Sequence, residues 1–85
     1  MPVDAALLHS LLVELASQPD GMSTARLCKR LGLRMSVLVR TLAWMDAGTI
    51  GGVAGPGWVR VHADGARSLV LLTDAGRRLL DSLPP

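Results

Sequence analysis

The sequence has no phenylalanine or tyrosine, a single cysteine and no long apolar run, and each absence excludes a class of protein. With Trp44 and Trp58 as its only aromatic residues, the chain must build its core from aliphatic side chains. Cys28 has no partner for an internal disulfide, which fits a reducing, cytoplasmic location. No apolar segment reaches the roughly 20 residues that span a bilayer, and the N-terminus lacks the basic flank of a signal peptide. We therefore expect no membrane association.

Residues suited to catalysis or metal binding are also missing. His9 and His62 lie far apart and the aspartates are scattered, so no cluster has the spacing of a metal site. No serine belongs to a nucleophile-elbow motif. The glycine-rich segment 51–57 is not followed by the Lys-Ser or Lys-Thr of a phosphate-binding loop, and it is predicted to be a connector. The sequence thus predicts no enzyme activity, no metal and no cofactor.

Positive charge is concentrated in the middle of the chain. The formal net charge is only +2, yet no Lys or Arg precedes Arg26. Between Arg26 and Arg60 lie six basic residues, both ends included, and the single acid Asp46. A polyanion would therefore meet this segment and not the N-terminus. A solvated charged face without a partner is the alternative interpretation.

Apolar spacing and turn signals predict one domain over residues 1–85. Its elements are a helix over 3–17, a helix over 23–31, a helix over 35–47, a hairpin over 58–72 and a closing helix over 74–83. Ser23 is expected to cap the second helix and Gly32 to end it. Asp64-Gly65 is expected to form a type I′ turn that pairs His62 with Arg67. The fold class is mainly α with a β-hairpin (α+β): a winged helix-turn-helix with a three-helix core, a wing and a C-terminal helix.

That order of elements is mostly used to hold double-stranded DNA, and the third helix would be the recognition helix. If Leu38, Leu42 and Met45 are buried, the opposite side carries the residues Ser36, Val37, Arg40, Ala43 and Trp44. Arg40 is suited to grip guanine O6 and N7, Ser36 to donate to a base or phosphate, and Val37 to touch a thymine methyl.

Other candidate contacts lie around this helix. Arg34 occupies an N-cap position where Ser, Thr, Asp or Asn would contribute about 1 kcal/mol, and phosphate binding would compensate for the loss. Tolerated surface arginines are the alternative. Arg60 or Arg67 would enter the minor groove from the hairpin. The full set of candidate DNA-binding residues is Ser23, Arg26, Lys29, Arg30, Arg34, Ser36, Val37, Arg40, Arg60, His62 and Arg67.

Trp44 supports a second function class. With Val37, Val39 and Ala43 it makes the outer face of the third helix less polar than DNA readers usually are. The alternative function is therefore a winged-helix protein-interaction module that uses the apolar face around Trp44. For Trp44 itself we favour the interpretation in which it folds back onto Trp58 or the 51–57 loop. Cys28 is expected to be a small buried residue, with redox sensing as its alternative.

Two segments resemble a known family. The sequence LVELASQPDGMSTARLCKRLGLRMSVLVRTLAWMDAGTI resembles the winged helix-turn-helix core of MarR-type and related bacterial regulators. The closing LVLLTDAGRRLL is similar to their Leu-Thr-x-x-Gly-x-x-Leu-Leu segment, and MSVLVRTLAWMDAG is similar to small DNA-binding proteins of proteobacteria.

The resemblance implies a cytoplasmic, homodimeric transcriptional regulator that binds a pseudo-palindromic operator through residues 35–47 and a wing over 58–72. The surplus of leucine also favours a homodimer. Family members carry longer terminal helices that build an effector pocket, so no small-molecule effector is expected here. Their wing often carries Asp-x-Arg, whereas Asp64 and Arg67 are one residue further apart.

Overall fold

The structure is a computed structural model that describes residues 4–46, 49–50 and 53–84. Within these ranges it contains four helices: α1 (Ala5–Ala16), α2 (Thr24–Leu31), α3 (Met35–Met45) and α4 (Asp74–Ser82). The strands in the same ranges are β1 (Met22–Ser23), β2 (Thr49–Ile50), β3 (Val53–Ala54), β4 (Val59–Asp64) and β5 (Arg67–Leu72). The predicted α+β class is confirmed, and the element order is compatible with a winged helix.

Capping side chains determine where α1 and α2 begin. Asp4 Oδ1 accepts the N–H of Ala6 at 2.9 Å, so α1 begins after Asp4. Residue 3, where the helix was predicted to begin, lies outside the described residues. Ser23 Oγ accepts the N–H of Arg26 at 3.2 Å, which confirms the predicted cap of α2. Gly32 ends α2 in the left-handed conformation, with φ of 66°, as predicted.

The other helix ends differ slightly from the prediction. α1 ends at Ala16, one residue early, with Ser17 as its C-cap. α3 ends at Met45 because Asp46 adopts an extended conformation with ψ of 168°. Ala47 and Gly48, which were expected to close α3, lie outside the described residues. α4 ends at Ser82 because Leu83 is extended.

No helix among the described residues is long and apolar enough to cross a membrane.

Three strands form an antiparallel sheet in the order β1-β5-β4. β1 places Met22 opposite Val70 and Ser23 opposite Leu69. The sequence pattern does not predict this strand, because two residues are too short to show an alternation. β1 leads directly into α2, so the sheet fixes where α2 begins.

The β4–β5 hairpin has a different register from the predicted one. His62 pairs with Leu69 instead of Arg67, and Arg67 pairs with Asp64. The turn residues are Gly65 and Ala66, of which only Gly65 has positive φ (63°), the sign pattern of a type II′ turn. This turn needs positive φ at one residue, whereas the predicted type I′ turn needs it at two. The observed register also places the opposite charges of Asp64 and Arg67 directly across from each other.

The prediction that residues 51–57 form only a connector is wrong in part. Val53 and Ala54 form β3 and pair with Ile50 and Thr49 of β2. β-Branched residues on either side of Gly51-Gly52 favour such a short hairpin. The two glycines themselves lie outside the described residues.

The core is aliphatic, as the lack of aromatic residues predicts. The expected burial of Leu38, Leu42 and Met45 in α3 is confirmed. Leu8, Cys28 and Leu31 pack against this core and are partly buried, so Cys28 is less buried than expected. The ten buried hydrophobic residues of the described chain are Leu11, Leu12, Leu15, Met22, Leu27, Leu38, Leu42, Met45, Val59 and Val70.

The backbone of Trp58 joins three elements. Its N–H donates to the Met45 carbonyl at 2.8 Å, and its own carbonyl accepts the N–H of Thr73 at 3.1 Å. Thr73 Oγ1 donates to the Gly57 carbonyl at 2.6 Å and accepts the N–H of Gly76 at 3.1 Å, so it caps α4 as predicted. These bonds hold the end of α3, the base of the hairpin and the start of α4 together. We call this set of contacts the Trp58 junction.

We predict that Gly76→Ala destabilises the protein, although alanine is the better helix former by about 1 kcal/mol. Gly76 is buried, and a Cβ there would collide with the Trp58 carbonyl oxygen and come within 2.6 Å of Leu72 Cδ1. Overpacking of this kind costs about 1–3 kcal/mol, and a backbone carbonyl cannot rotate away as a side chain can. Urea unfolding measures the change. Arg78→Ala on the exposed side of α4 is the control, and a Gly76→Ala variant as stable as wild type would contradict the prediction.

Candidate nucleic-acid interface

The outward side of α3 carries one cation and no acid. At 100° per residue, Ser36, Arg40 and Ala43 lie on one row opposite the buried residues, and all three are exposed. No Asp or Glu occurs between Met35 and Met45. The predicted exposure of Val37 is also confirmed, whereas Trp44, which we expected to fold back onto Trp58 or the 51–57 loop, is exposed. This row is the centre of what we call the α3 face, which comprises residues 35–37, 39, 40, 43 and 44.

Apolar side chains flank Arg40 on both sides of the α3 face. Their exposed fractions are 44% for Met35, 40% for Val37, 53% for Val39 and 40% for Trp44. At 100° per residue, Val37 and Trp44 lie on one flank while Met35 and Val39 lie on the other. Trp44 therefore keeps a substantial part of its surface in solvent.

One flank of the α3 face borders the β4–β5 hairpin. Met35, Val39, Leu42 and Ala43 of α3 line an open groove whose other wall includes Val61 and Ser68. Thr24 and Asp46 line the same groove. Val61 and Ser68 share one face of the hairpin, because Ser68 pairs with Ala63, two residues along the strand from Val61. α3 and the hairpin thus present one continuous surface.

A second group of cations lies on α2. Arg26, Lys29 and Arg30 are exposed and, with Ala25, line a shallow depression. Arg30 Nε and Nη2 donate to the two carboxylate oxygens of Glu14 at 3.2 and 3.3 Å. Among the described residues, Arg26 and Lys29 have no ion pair. Of the three predicted phosphate contacts on α2, Arg30 is therefore already partly neutralised.

Arg34 and Ser23 stand at the starts of α3 and α2. Arg34 is exposed and extended at the N-cap position, and it makes no side-chain cap hydrogen bond, as predicted. Its guanidinium is therefore available for an external anion beside the N-terminus of α3. Ser23 is half-buried, and its oxygen already accepts the N–H of Arg26. Ser23 thus supports α2 more directly than it supports a ligand.

The structure separates the three candidate residues of the hairpin from the groove. Arg60, His62 and Arg67 share one strand face, the opposite of the face that carries Val61 and Ser68. Arg60 lies at the base of the hairpin, where it lines a depression with Thr73 and Asp74. At about 3.4 Å per residue, the base and the turn are well separated, so Arg60 lies far from the tip.

Arg67 stands at the tip of the hairpin and is paired. Its Nη2 lies 3.3 Å from Asp64 Oδ2, and both side chains are more than half exposed. An exposed pair of this kind contributes about 0–1 kcal/mol, so the contact orients Arg67 more than it stabilises the fold. Asp64 and Arg67 are one residue further apart in sequence than the Asp and Arg of Asp-x-Arg. Their side chains still meet, because the two residues lie directly opposite each other on neighbouring strands.

Cys28 contacts α3 through sulfur. Its Sγ lies 3.9 Å from Met35 Sδ, and the thiol is half-buried. The contact joins the middle of α2 to the first residue of α3, which accords with the predicted packing role. In the described residues, no group of three or more His, Cys, Asp or Glu is arranged to hold a metal ion.

Two features of this surface have no local sequence signal. Glu14 and Arg30 are 16 positions apart, so neither helix alone indicates that they pair. The groove combines residues of α3 with Val61 of the hairpin, and its formation depends on how the two elements pack.

Comparisons with known proteins give no relative from which to assign the fold or function. No protein-family model matches the chain, and neither curated proteins nor solved structures give a significant match.

We predict that Glu14→Gln strengthens retention on a heparin column, because it frees the Arg30 guanidinium beside Arg26 and Lys29. Asp4→Asn is the matched control. It removes the same charge at the far end of α1, and asparagine also caps helices well. The salt concentration at elution should rise more for Glu14→Gln than for Asp4→Asn. An equal rise in the two variants would show that net charge alone governs retention.

Proposed function

We propose that this protein is a winged helix that binds double-stranded DNA sequence-specifically, with α3 as its recognition helix. The observation that carries this proposal is the α3 face. It presents Ser36 and Arg40 to solvent without an acidic residue on the helix. Arg34 stands at the N-cap of α3, and α2, which packs against α3, carries the exposed Arg26 and Lys29. A major groove is lined by phosphates and displays acceptors that a guanidinium can grip.

The backbone around α3 supports this proposal. Gly32 turns the chain between α2 and α3, and the N–H groups of Gly32 and Leu33 both donate to the Cys28 carbonyl. The hairpin follows α3 and stands beside it. Helix, turn, helix and flanking hairpin is the arrangement in which one helix enters the major groove.

Each cation has a role that follows from its position. Arg40, at the centre of the α3 face, and Ser36, one turn before it, would contact base edges. Arg26, Lys29 and Arg34 would contact phosphates and set the orientation of the helix in the groove. Arg67 would reach the backbone or the minor groove from the tip of the hairpin, where Asp64 holds it.

The corresponding biological role is that of a small cytoplasmic transcriptional regulator of the MarR-like type in bacteria. A homodimer would cover two half-sites about one helical turn apart and exclude competing proteins. Supporting this proposal are the resemblance of most of the chain between residues 11 and 80 to that family and the surplus of leucine in the sequence.

We predict that Arg40→Ala weakens binding of a random-sequence duplex measured by fluorescence anisotropy at low salt. The control is Arg78→Ala, which removes the same charge from α4. Wild type should lose affinity steeply with salt, with a log–log slope of about −0.9 for each phosphate neutralised. Arg40→Ala should also remove selectivity for a chosen sequence, because a bidentate contact to guanine contributes about 1–3 kcal/mol of discrimination.

Two results would contradict the DNA proposal. One is a wild-type protein that does not bind any duplex at low salt. The other is an Arg40→Ala variant with the affinity and selectivity of Arg78→Ala, since α3 would then not be the element in the groove.

The exposed Val37, Val39 and Trp44 favour a second candidate function, a winged-helix module that docks on another protein. Tryptophan is enriched among the residues that carry binding energy at protein interfaces. Under this alternative, Trp44→Ala would cost about 2 kcal/mol or more of affinity for the protein partner, and Arg40→Ala little. Under the DNA proposal, Trp44→Ala leaves duplex affinity within a factor of about two, because the N-terminal residues of a recognition helix contact the bases and Trp44 lies in the last turn of α3.

A further inference from the structure

We propose that α3 reads the 5-methyl groups of pyrimidines in the major groove, next to a guanine that Arg40 contacts. This inference rests on the proposed DNA-binding function and specifies the chemistry of the sequence that the protein selects. Its basis is the mixed character of the α3 face, where one guanidinium stands among apolar side chains.

The apolar neighbours of Arg40 are close to it on the helix surface. Val37 and Ala43 lie three residues before and after Arg40, a spacing that makes side chains neighbours on a helix, and Val39 directly precedes it. Val37 and Val39 are both exposed, at 40% and 53%. Arg40 therefore lies between two branched apolar residues on this surface.

Only one feature of the major-groove edges of the bases suits such side chains. Guanine, adenine and cytosine present hydrogen-bond donors and acceptors there, which a valine cannot pair with. Thymine adds a methyl group on C5, and 5-methylcytosine carries the same group at the same place. Contact with a methyl removes apolar surface of both molecules from water. Contact with an unmethylated pyrimidine leaves the valine against a polar edge.

Charge favours DNA as the occupant of this face over a protein. Arg34 stands at the N-terminus of α3, Arg40 at its centre, and Arg26 and Lys29 on the adjacent helix. α3 itself contains no acidic residue to repel a phosphate. A polyanion with methyl groups displayed between its phosphates matches both properties of the face.

Replacing thymine by uracil tests the proposal, because it removes the methyl and leaves every hydrogen-bonding group in place. The full chain first selects duplexes from a random 20-base-pair pool that contains both thymine and 5-methylcytosine. The selected pool is then copied by polymerase chain reaction with dTTP, with dUTP, or with dUTP and 5-methyl-dCTP. Anisotropy titrations at one salt concentration compare the three copies. We expect the uracil copy to bind about tenfold more weakly, as the loss of one or two methyl contacts would give.

The third copy distinguishes the two sources of the methyl group. Recovery of affinity with 5-methylcytosine identifies methylated cytosine as a ligand of the face. Continued weak binding identifies thymine, and both results support methyl reading.

A matched pair of valine variants locates the effect. Val37→Ser combined with Val39→Ser removes the methyl groups of both exposed valines of α3 and should bring the thymine-to-uracil affinity ratio close to one. Val13→Ser makes the same kind of change at an exposed position of α1 and should leave the ratio unchanged. If both variants leave the thymine-to-uracil affinity ratio unchanged, the α3 face does not read methyl groups and the proposal is overturned.

The outcomes separate this inference from the function on which it rests. Equal affinity for the thymine and uracil copies, with steep salt dependence retained, would overturn methyl reading and leave DNA binding intact. A protein that retains no duplex from the pool even at low salt would overturn the DNA-binding function and the inference with it.

Discussion

The position of the candidate interface depends on the backbone bonds at Trp58. Its N–H donates to the last residue of α3, and its carbonyl accepts from Thr73 and packs against Gly76. β4 begins at the next residue, so the junction sets the base of the hairpin against the end of α3. The groove shared by Val39 and Val61 follows from this arrangement. Because the constraint uses both backbone polar groups of one residue, it needs no aromatic core, which this composition does not offer.

α2 and α3 carry different numbers of cations, which suits them to different roles in DNA binding. Most residues of α3 are apolar, either buried in the core or exposed, and Arg40 is its one cation. α2 supplies Arg26 and Lys29 on the side away from its buried Leu27. Affinity for a polyanion would thus come mainly from α2 and Arg34, and selectivity from α3.

Local features of this chain were predictable and non-local ones were not. The caps at Ser23 and Thr73, the left-handed Gly32 and the inward row of α3 each depend on residues within about one helical turn. The hairpin register was missed because two turns one residue apart both fit Asp64-Gly65-Ala66, and pairing of Asp64 with Arg67 favours the observed one. The Glu14–Arg30 ion pair and the groove at Val61 arise only when helices and sheet pack together. The helical periodicity of α3 was enough to predict that Arg40 is exposed. The distance of Arg60 from the hairpin tip could be known only from the strand register in the structure.

The most direct test of the central claim is to map the residues of the full chain that change when a short DNA duplex is added. Amide chemical shifts recorded by NMR during the titration report this residue by residue. If α3 enters the groove, the largest changes will fall on the α3 face, the start of α2 and the hairpin tip around Gly65, with α4 little affected. Changes concentrated on α1 and α4, or no changes at low salt, would contradict the assignment of α3 as the DNA-reading helix.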